Sequence, residues 1–183
     1  MAQPKPDEAV FCTWTHRAGL PPQLHERLGD LDQLLRDLIL SANSTALLVA
    51  PYLSASGMRS IKDALAVAAR KGAFIRIVTG ALDANGGLNR RALAELVDGE
   101  CGITIGSRLR VLCASSPLPE LVHAKLIVVD GARGYLGSAN LSRRGLEFNF
   151  EIGVSLNSYQ AKTIVDLISF MEADGHLLSV WTA

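Results

Sequence analysis

The sequence predicts an α/β fold, a mixed and largely parallel β-sheet flanked by helices, and three observations predict it. A hydrophobic fraction of 49% over 183 residues with a formal net charge of zero suits one compact domain with its own core. Strand, helix and strand patterns follow one another from residue 45 to residue 79, and a crossover helix of this kind favours parallel pairing in a covered sheet. Beyond residue 108, apolar runs of strand length recur, and a helical spacing closes the chain from about Tyr159 to Ala173.

Residues 1–22 contain Pro4, Pro6, Pro21 and Pro22 and no apolar period, which predicts a partly disordered N-terminal arm ahead of a folded unit over 23–183. Leu24, Leu28, Leu31, Leu35 and Leu38 follow the three-and-four spacing of an amphipathic helix. TALLVAPY, Thr45 to Tyr52, predicts a buried strand ending at Pro51. Ser54 or Ser56 is expected to cap a helix whose apolar face includes Met58, Ile61, Leu65 and Ala68 and which Gly72 stops. A strand at Phe74–Thr79 and a helix over Asn89–Val97 come next. Three strands are then expected at Arg108–Cys113, Val122–Val129 and Phe148–Leu156, with a short one near Tyr135.

No apolar run approaches the roughly 18 to 20 residues that cross a bilayer, and MAQPKPDEAV lacks a basic segment followed by an apolar one, so a cytoplasmic location is expected and a membrane partner is not. Cys12, Cys101 and Cys113 are odd in number, without CxxC spacing or neighbouring histidine, which points to reduced thiols rather than a disulfide framework or a zinc site. Zero net charge offers no global field to steer a polyanion. Between residues 101 and 150, however, six basic side chains stand against three acidic ones.

That excess surrounds HAKLIVVDGARGYLGSAN, residues 123–140, in which His123, Lys125, Asp130, Gly137, Ser138 and Asn140 form the pattern HxKxxxxDxxxxxxGSxN. Six fixed positions arise by chance with a probability on the order of 10⁻⁸ per starting point. On a strand, residues two apart share a face, which sets an imidazole beside an ammonium, with Val122, Ala124, Leu126 and Val128 packing on the other face. Gly137 and Ser138 permit close backbone approach and Asn140 offers an uncharged amide, so the segment reads as a phosphate cradle. In EFNFEIGV, Phe148, Phe150, Ile152 and Val154 are expected to face the core, leaving Asn149 and Glu151 on the opposite side.

The pattern resembles the signature of the phospholipase D superfamily, and the resemblance implies a phospholipase D-like catalytic domain with one motif copy per chain. It implies that His123 attacks phosphorus to give a covalent phosphohistidine, while Lys125 and Asn140 hold the non-bridging oxygens and Ser138 adds a hydrogen bond. Glu151 would hold the other imidazole nitrogen and fix the tautomer. Asp130, at the far end of the strand and of opposite parity to His123, is expected to support local structure. Neither metal nor cofactor is required. A separate general acid is needed for the leaving group, and the single motif therefore implies a homodimer with a composite site on a two-fold axis. His16, His25 and His176 have no Lys two positions later and read as surface residues.

A nuclease acting on DNA or RNA is the expected activity, with Arg143 and Arg144 placed to receive flanking phosphates. The same motif also serves phospholipases and phosphatidyl transferases. A third reading is a non-catalytic subunit of a larger complex, like the phospholipase D-like proteins that accompany some bacterial antiphage defence systems. The loops Ala50–Gly57, Gly80–Gly87 and Ala114–Glu120 are expected to rim the site, with no substrate legible in their composition.

Overall fold

The computed structural model describes residues 10–14, 19–97, 108–114 and 122–182. Its elements, in chain order, are β1 (Val10–Thr13), α1 (Pro22–His25), β2 (Leu28–Asp30), α2 (Leu31–Leu40), β3 (Thr45–Ala50), α3 (Ala55–Lys71), β4 (Phe74–Thr79), α4 (Ala84–Val97) and β5 (Leu109–Ala114). Then follow β6 (Leu126–Val129), β7 (Arg133–Gly137), a π-helical turn (Arg144–Phe148), β8 (Glu151–Leu156), α5 (Ser158–Ala173) and β9 (Leu177–Thr182). The strands form a nine-stranded sheet in the order β2-β1-β8-β7-β6-β3-β4-β5-β9.

The class is α/β with a mixed sheet, as expected, but parallel pairing is confined to β3–β4–β5 and β1–β2. The other pairs are antiparallel: Val129 and Arg133 are paired across a tight turn in the β6–β7 hairpin, while β7–β8, β3–β6, β1–β8 and β5–β9 pair across longer connections. The leucine run does not form one helix. Gly29 pairs with Phe11 in β2–β1, and a Cβ there would stand 2.2 Å from the Phe11 ring, so the chain is drawn into the sheet before α2 begins. Asp30 then caps α2 by accepting from Gln33 N at 3.0 Å. Within the expected arm, Val10–Thr13 form β1 against β8, because a four-residue strand between prolines is too short to show a period. The rest of that arm, apart from Trp14 and residues 19–22, lies outside the described residues, as do Cys101, His16 and the loop over 115–121.

TALLVA reads as an unbroken apolar run because both faces of β3 are covered. Ala46, Leu48 and Ala50 pack with Leu35, Ile39, Met58, Ile61 and Leu65 under α2 and α3, while Leu47 and Val49 pack with Val78, Leu126, Val128 and Ile168 under α5. Glu172 fastens α5 to the sheet, accepting from Arg76 on β4 and Arg110 on β5, each at 2.6 Å. Ser54 caps α3 by accepting from Gly57 N, and Gly72 ends it at φ 108°.

Asp130 sets the ends of the central strands. It and Gly131 adopt φ of 54° and 61°, the positive values that a primed hairpin turn requires. From there the Asp130 carboxylate accepts from Asn43 N, Ser44 N, Ser44 Oγ and Thr45 N, tying the hairpin to the start of β3. Partial burial works to raise its pKa, but these hydrogen bonds outweigh it and bring the value down to about 2. A carboxylate depressed in the folded state stabilises above its unfolded pKa and loses that stabilisation as pH falls toward its folded one. Asp130→Asn is expected to cost about 1–2 kcal/mol at pH 7. Urea denaturation should show the gap to wild type closing between about pH 4 and pH 2, and a gap constant over that range would refute this account.

Candidate active site

The edge of the sheet at which β3, β4 and β5 end is also the edge at which β6 begins, because β3 and β6 are antiparallel with Val49 opposite Leu126. β7 ends and β8 begins at the same edge. Open α/β sheets offer their clefts at such an edge.

His123 and Lys125 lie just ahead of β6, which starts at Leu126 rather than at Val122. Val122, Leu126 and Val128 are buried under α5 as expected, whereas Ala124 is exposed, since the chain has already left the ladder. His123 is exposed and Lys125 half-buried, its Nζ donating to the His123 carbonyl at 2.8 Å. Gly137 N donates to Lys125 O at 3.0 Å, so pairing with β7 continues one residue past the strand and holds Lys125 across from Gly137. Burial lowers the Lys125 pKa and the Glu151 carboxylate nearby opposes the shift.

Ser138 and Glu151 are joined directly. Ser138 Oγ donates to Glu151 Oε2 and accepts from Ile152 N at 3.1 Å, while Asn149 Nδ2 donates to Glu151 Oε1 at 3.0 Å. Glu151, only 8% exposed, thus has both oxygens occupied and makes no hydrogen bond to His123 among the described residues. Beneath it lies Tyr135, fully buried between two glycines. A Cβ at Gly137 would stand 2.0 Å from the Tyr135 hydroxyl, and one at Gly153 would stand 2.2 Å from the ring. Burial pushes the Tyr135 phenol up to about 12, with the Glu151 charge adding to the rise. Gly137 therefore makes room for an aromatic ring inside the protein.

Asn140 follows on a segment docked against α3. Leu141 bridges to Leu53 and accepts from Ser54 N at 3.0 Å, and Arg143 N donates to Ser54 Oγ at 3.2 Å. Gly57 and Gly145 permit this contact, since a Cβ on either would meet the backbone of Leu141 or Asn140 at 2.4–2.5 Å. The Asn140 Oδ1 is buried without a partner. Ser54, Asn89 and Tyr135 carry no motif in the sequence, and only Ser54 is foreshadowed, as a helix cap.

The expected orientation of Phe148–Val154 is reversed. Phe148 falls in the π-helical turn, and Phe150, Ile152 and Val154 are exposed, Phe150 to 67%. α5 covers β8 only as far as Leu156, and the opposite face of the strand is given to Glu151 and to the space occupied by Tyr135. The two arginines also differ. Arg143 donates to Glu147 at 2.9 Å and lies 5.0 Å over the Phe148 ring, whereas Arg144 is exposed without a partner among the described residues. Asp130 lies at the far edge of the sheet; His25 and His176 are exposed, His176 just ahead of β9, whose Leu177 pairs with Ala114 at the end of β5.

The edge thus gathers an exposed imidazole, an ammonium, a hydroxyl, a carboxamide and a buried carboxylate on three neighbouring strands and the segment after them. No helix among the described residues is long and apolar enough to cross a membrane. In fold, the chain is similar to the phospholipase D family member Nuc from Salmonella typhimurium, with a TM-score of 0.65 at 18% identity over 97% of this chain and 100% of that one. It is similar also to NucT from Helicobacter pylori, with a TM-score of 0.54 at 16% identity over 94% and 98% of the two chains. A phosphatidylserine synthase from Haemophilus influenzae gives a TM-score of 0.62 at 19% identity over 82% of this chain and 36% of the other. No curated protein matches. The family model described as cardiolipin synthase, phospholipase D-like domain, matches residues 35–170, the greater part of the sequence and the whole of the edge just described, and the chain belongs to this phospholipase D-like family.

Proposed function

We propose that the protein is a phosphodiesterase that works through a covalent phosphohistidine at His123 and cleaves nucleic acid. The observation that carries the reading is the His123–Lys125 pair held across from Gly137, with Ser138 and Asn149 fastened to Glu151. An exposed imidazole with no hydrogen-bonded partner among the described residues is available for in-line attack. Lys125 and Asn140 balance the charge that concentrates on the non-bridging oxygens, Ser138 contributes a hydrogen bond, and Glu151 orients the imidazole once substrate turns the ring toward it. None of these roles calls for a metal. His123→Ala should lower cleavage of an oligonucleotide by roughly 10³-fold or more. Wild type denatured at alkaline pH during turnover in excess EDTA should carry a nucleotidyl adduct on His123 by mass, and activity lost completely in EDTA would refute the mechanism.

The second copy that supplies the leaving-group acid is proposed to dock against the exposed apolar face of β7 and β8. Leu136 and Val154 are cross-strand partners there, Ile152 and Phe150 adjoin Glu151, and Trp14 packs edge-on to Phe150 at 6.3 Å. A contiguous apolar patch of this kind marks an interaction surface. Light scattering is expected to give a dimer for wild type and a folded, inactive monomer for Val154→Asp; an active monomer would remove the composite site.

Nuc and NucT among the similar folds, together with the exposed Arg144 next to the motif, favour nucleic acid over lipid. Arg144→Ala is expected to reduce the slope of log affinity against log salt by about 0.7 on single strands, and Arg143→Ala, whose guanidinium is already engaged, to leave it nearly unchanged. Equal effects would place both arginines on the substrate. The phosphatidylserine synthase neighbour and the apolar face are the observations on the lipid side, and hydrolysis of phosphatidylcholine micelles with no cleavage of DNA or RNA would establish that reading instead.

A further inference from the structure

Tyr52 is 50% exposed, although both of its chain neighbours, Pro51 and Leu53, are buried. It lies three residues past Val49 in the chain, and His123 lies three residues before Leu126, the residue paired with Val49. The two therefore leave the sheet at the same edge on adjacent strands, whose spacing is about 4.8 Å. Ser138 and Glu151 flank His123 on the β7–β8 side, and Tyr52 stands on the other.

The position of this ring is held from two directions. The buried carboxamide of Asn89 accepts from Leu53 N at 2.9 Å and donates to Pro51 O at 3.0 Å, bracketing Tyr52 on both sides. Leu53 and Ser54 are in turn bonded to Leu141, next to Asn140. A solvent-facing aromatic is thereby fixed to the same backbone that carries the phosphate-binding amide. Its hydroxyl has no hydrogen-bond partner among the described residues, and half of the side chain is open to solvent. The loop and helix after the neighbouring strand β4 carry the exposed Asp83–Arg90 ion pair.

We propose that Tyr52 is a stacking platform for the base adjacent to the scissile phosphate, which makes the substrate an unpaired strand of nucleic acid. This rests on the nuclease reading and sharpens it. Every base presents a π-face, so such a platform binds without sequence preference. A base inside a duplex is already stacked on its neighbours and reaches the ring only after unpairing. A single exposed ring suits one base better than it suits a membrane surface, which calls for a broad apolar face with basic residues.

The test compares wild type, Tyr52→Phe, Tyr52→Leu and Tyr52→Ala on oligothymidylate, on the same oligomer annealed to oligoadenylate, and on an abasic oligomer of equal length. Wild type should prefer the single strand to the duplex and should lose about tenfold in kcat/KM on the abasic strand. Tyr52→Leu and Tyr52→Ala should raise KM about tenfold on oligothymidylate, Tyr52→Phe should match wild type, and all four should be alike on the abasic strand. Equal losses on the thymidylate and abasic strands would assign Tyr52 a structural role. A Leu variant equal to wild type would reduce the ring to an apolar contact. Either result overturns the proposal, as does an unchanged Ala variant. A wild type that cleaves no oligonucleotide but hydrolyses phosphatidylcholine micelles would remove the nuclease reading itself.

Discussion

The register of the β6–β7 hairpin is the constraint on which the site depends. Leu126 pairs with Leu136 and Val129 with Arg133, so the same alignment sets Lys125 opposite Gly137 one step beyond the ladder. The spacing between the His-Lys half of the motif and its Gly-Ser-Asn half is thus the length of this hairpin. A slip of one residue would turn every side chain to the other face and separate the two halves. Asp130 guards against it from the far end, because its left-handed turn and its bonds to residues 43–45 fix the hairpin against β3. The same anchor fixes where β3 starts.

This explains what could be read in the sequence and what could not. The motif was legible because its spacing encodes a local hairpin, and α3 was legible because Ser54, the apolar face and Gly72 agree with one another. The orientation of β8 was not. Phe150, Ile152 and Val154 follow the pattern of a core-facing strand, and that assignment fails because the space beneath the strand is filled by Tyr135, which local periodicity does not register. Gly137 and Gly153, read together, are the trace that Tyr135 leaves in the sequence. The leucine run from residue 24 misled for a related reason: β1 captures residues 28–30 by strand pairing, a long-range contact that overrides helical spacing.

Electrostatics of the site explain why fixed partners matter. Glu151 is buried, and a buried carboxylate needs its lone pairs satisfied, which Ser138 and Asn149 do. Removing Ser138 would leave one oxygen of this buried carboxylate without its hydrogen bond, a structural loss that comes in addition to any loss of the substrate contact proposed for it. Tyr135 contributes from below: its phenol is kept protonated by burial and by the Glu151 charge, leaving a neutral ring under the site.

Charge balance also relates the apolar face to the reacting edge. In one chain the Glu151 charge acts on the Lys125 ammonium and offsets part of the positive charge available to an anionic phosphodiester. A second copy docked on the β7–β8 face would bring another Lys125 to the same phosphate and exclude water from it, and Coulomb terms strengthen as the local dielectric falls. The side of His123 away from that face then remains the way in for the rest of the substrate. Tyr52 stands on that open side, where a nucleotide attached to the phosphate would have to pass. On the proposed dimer and nuclease readings, the apolar and aromatic surfaces at this edge would not be interchangeable: one would complete the charge around phosphorus, and the other would meet what is attached to it.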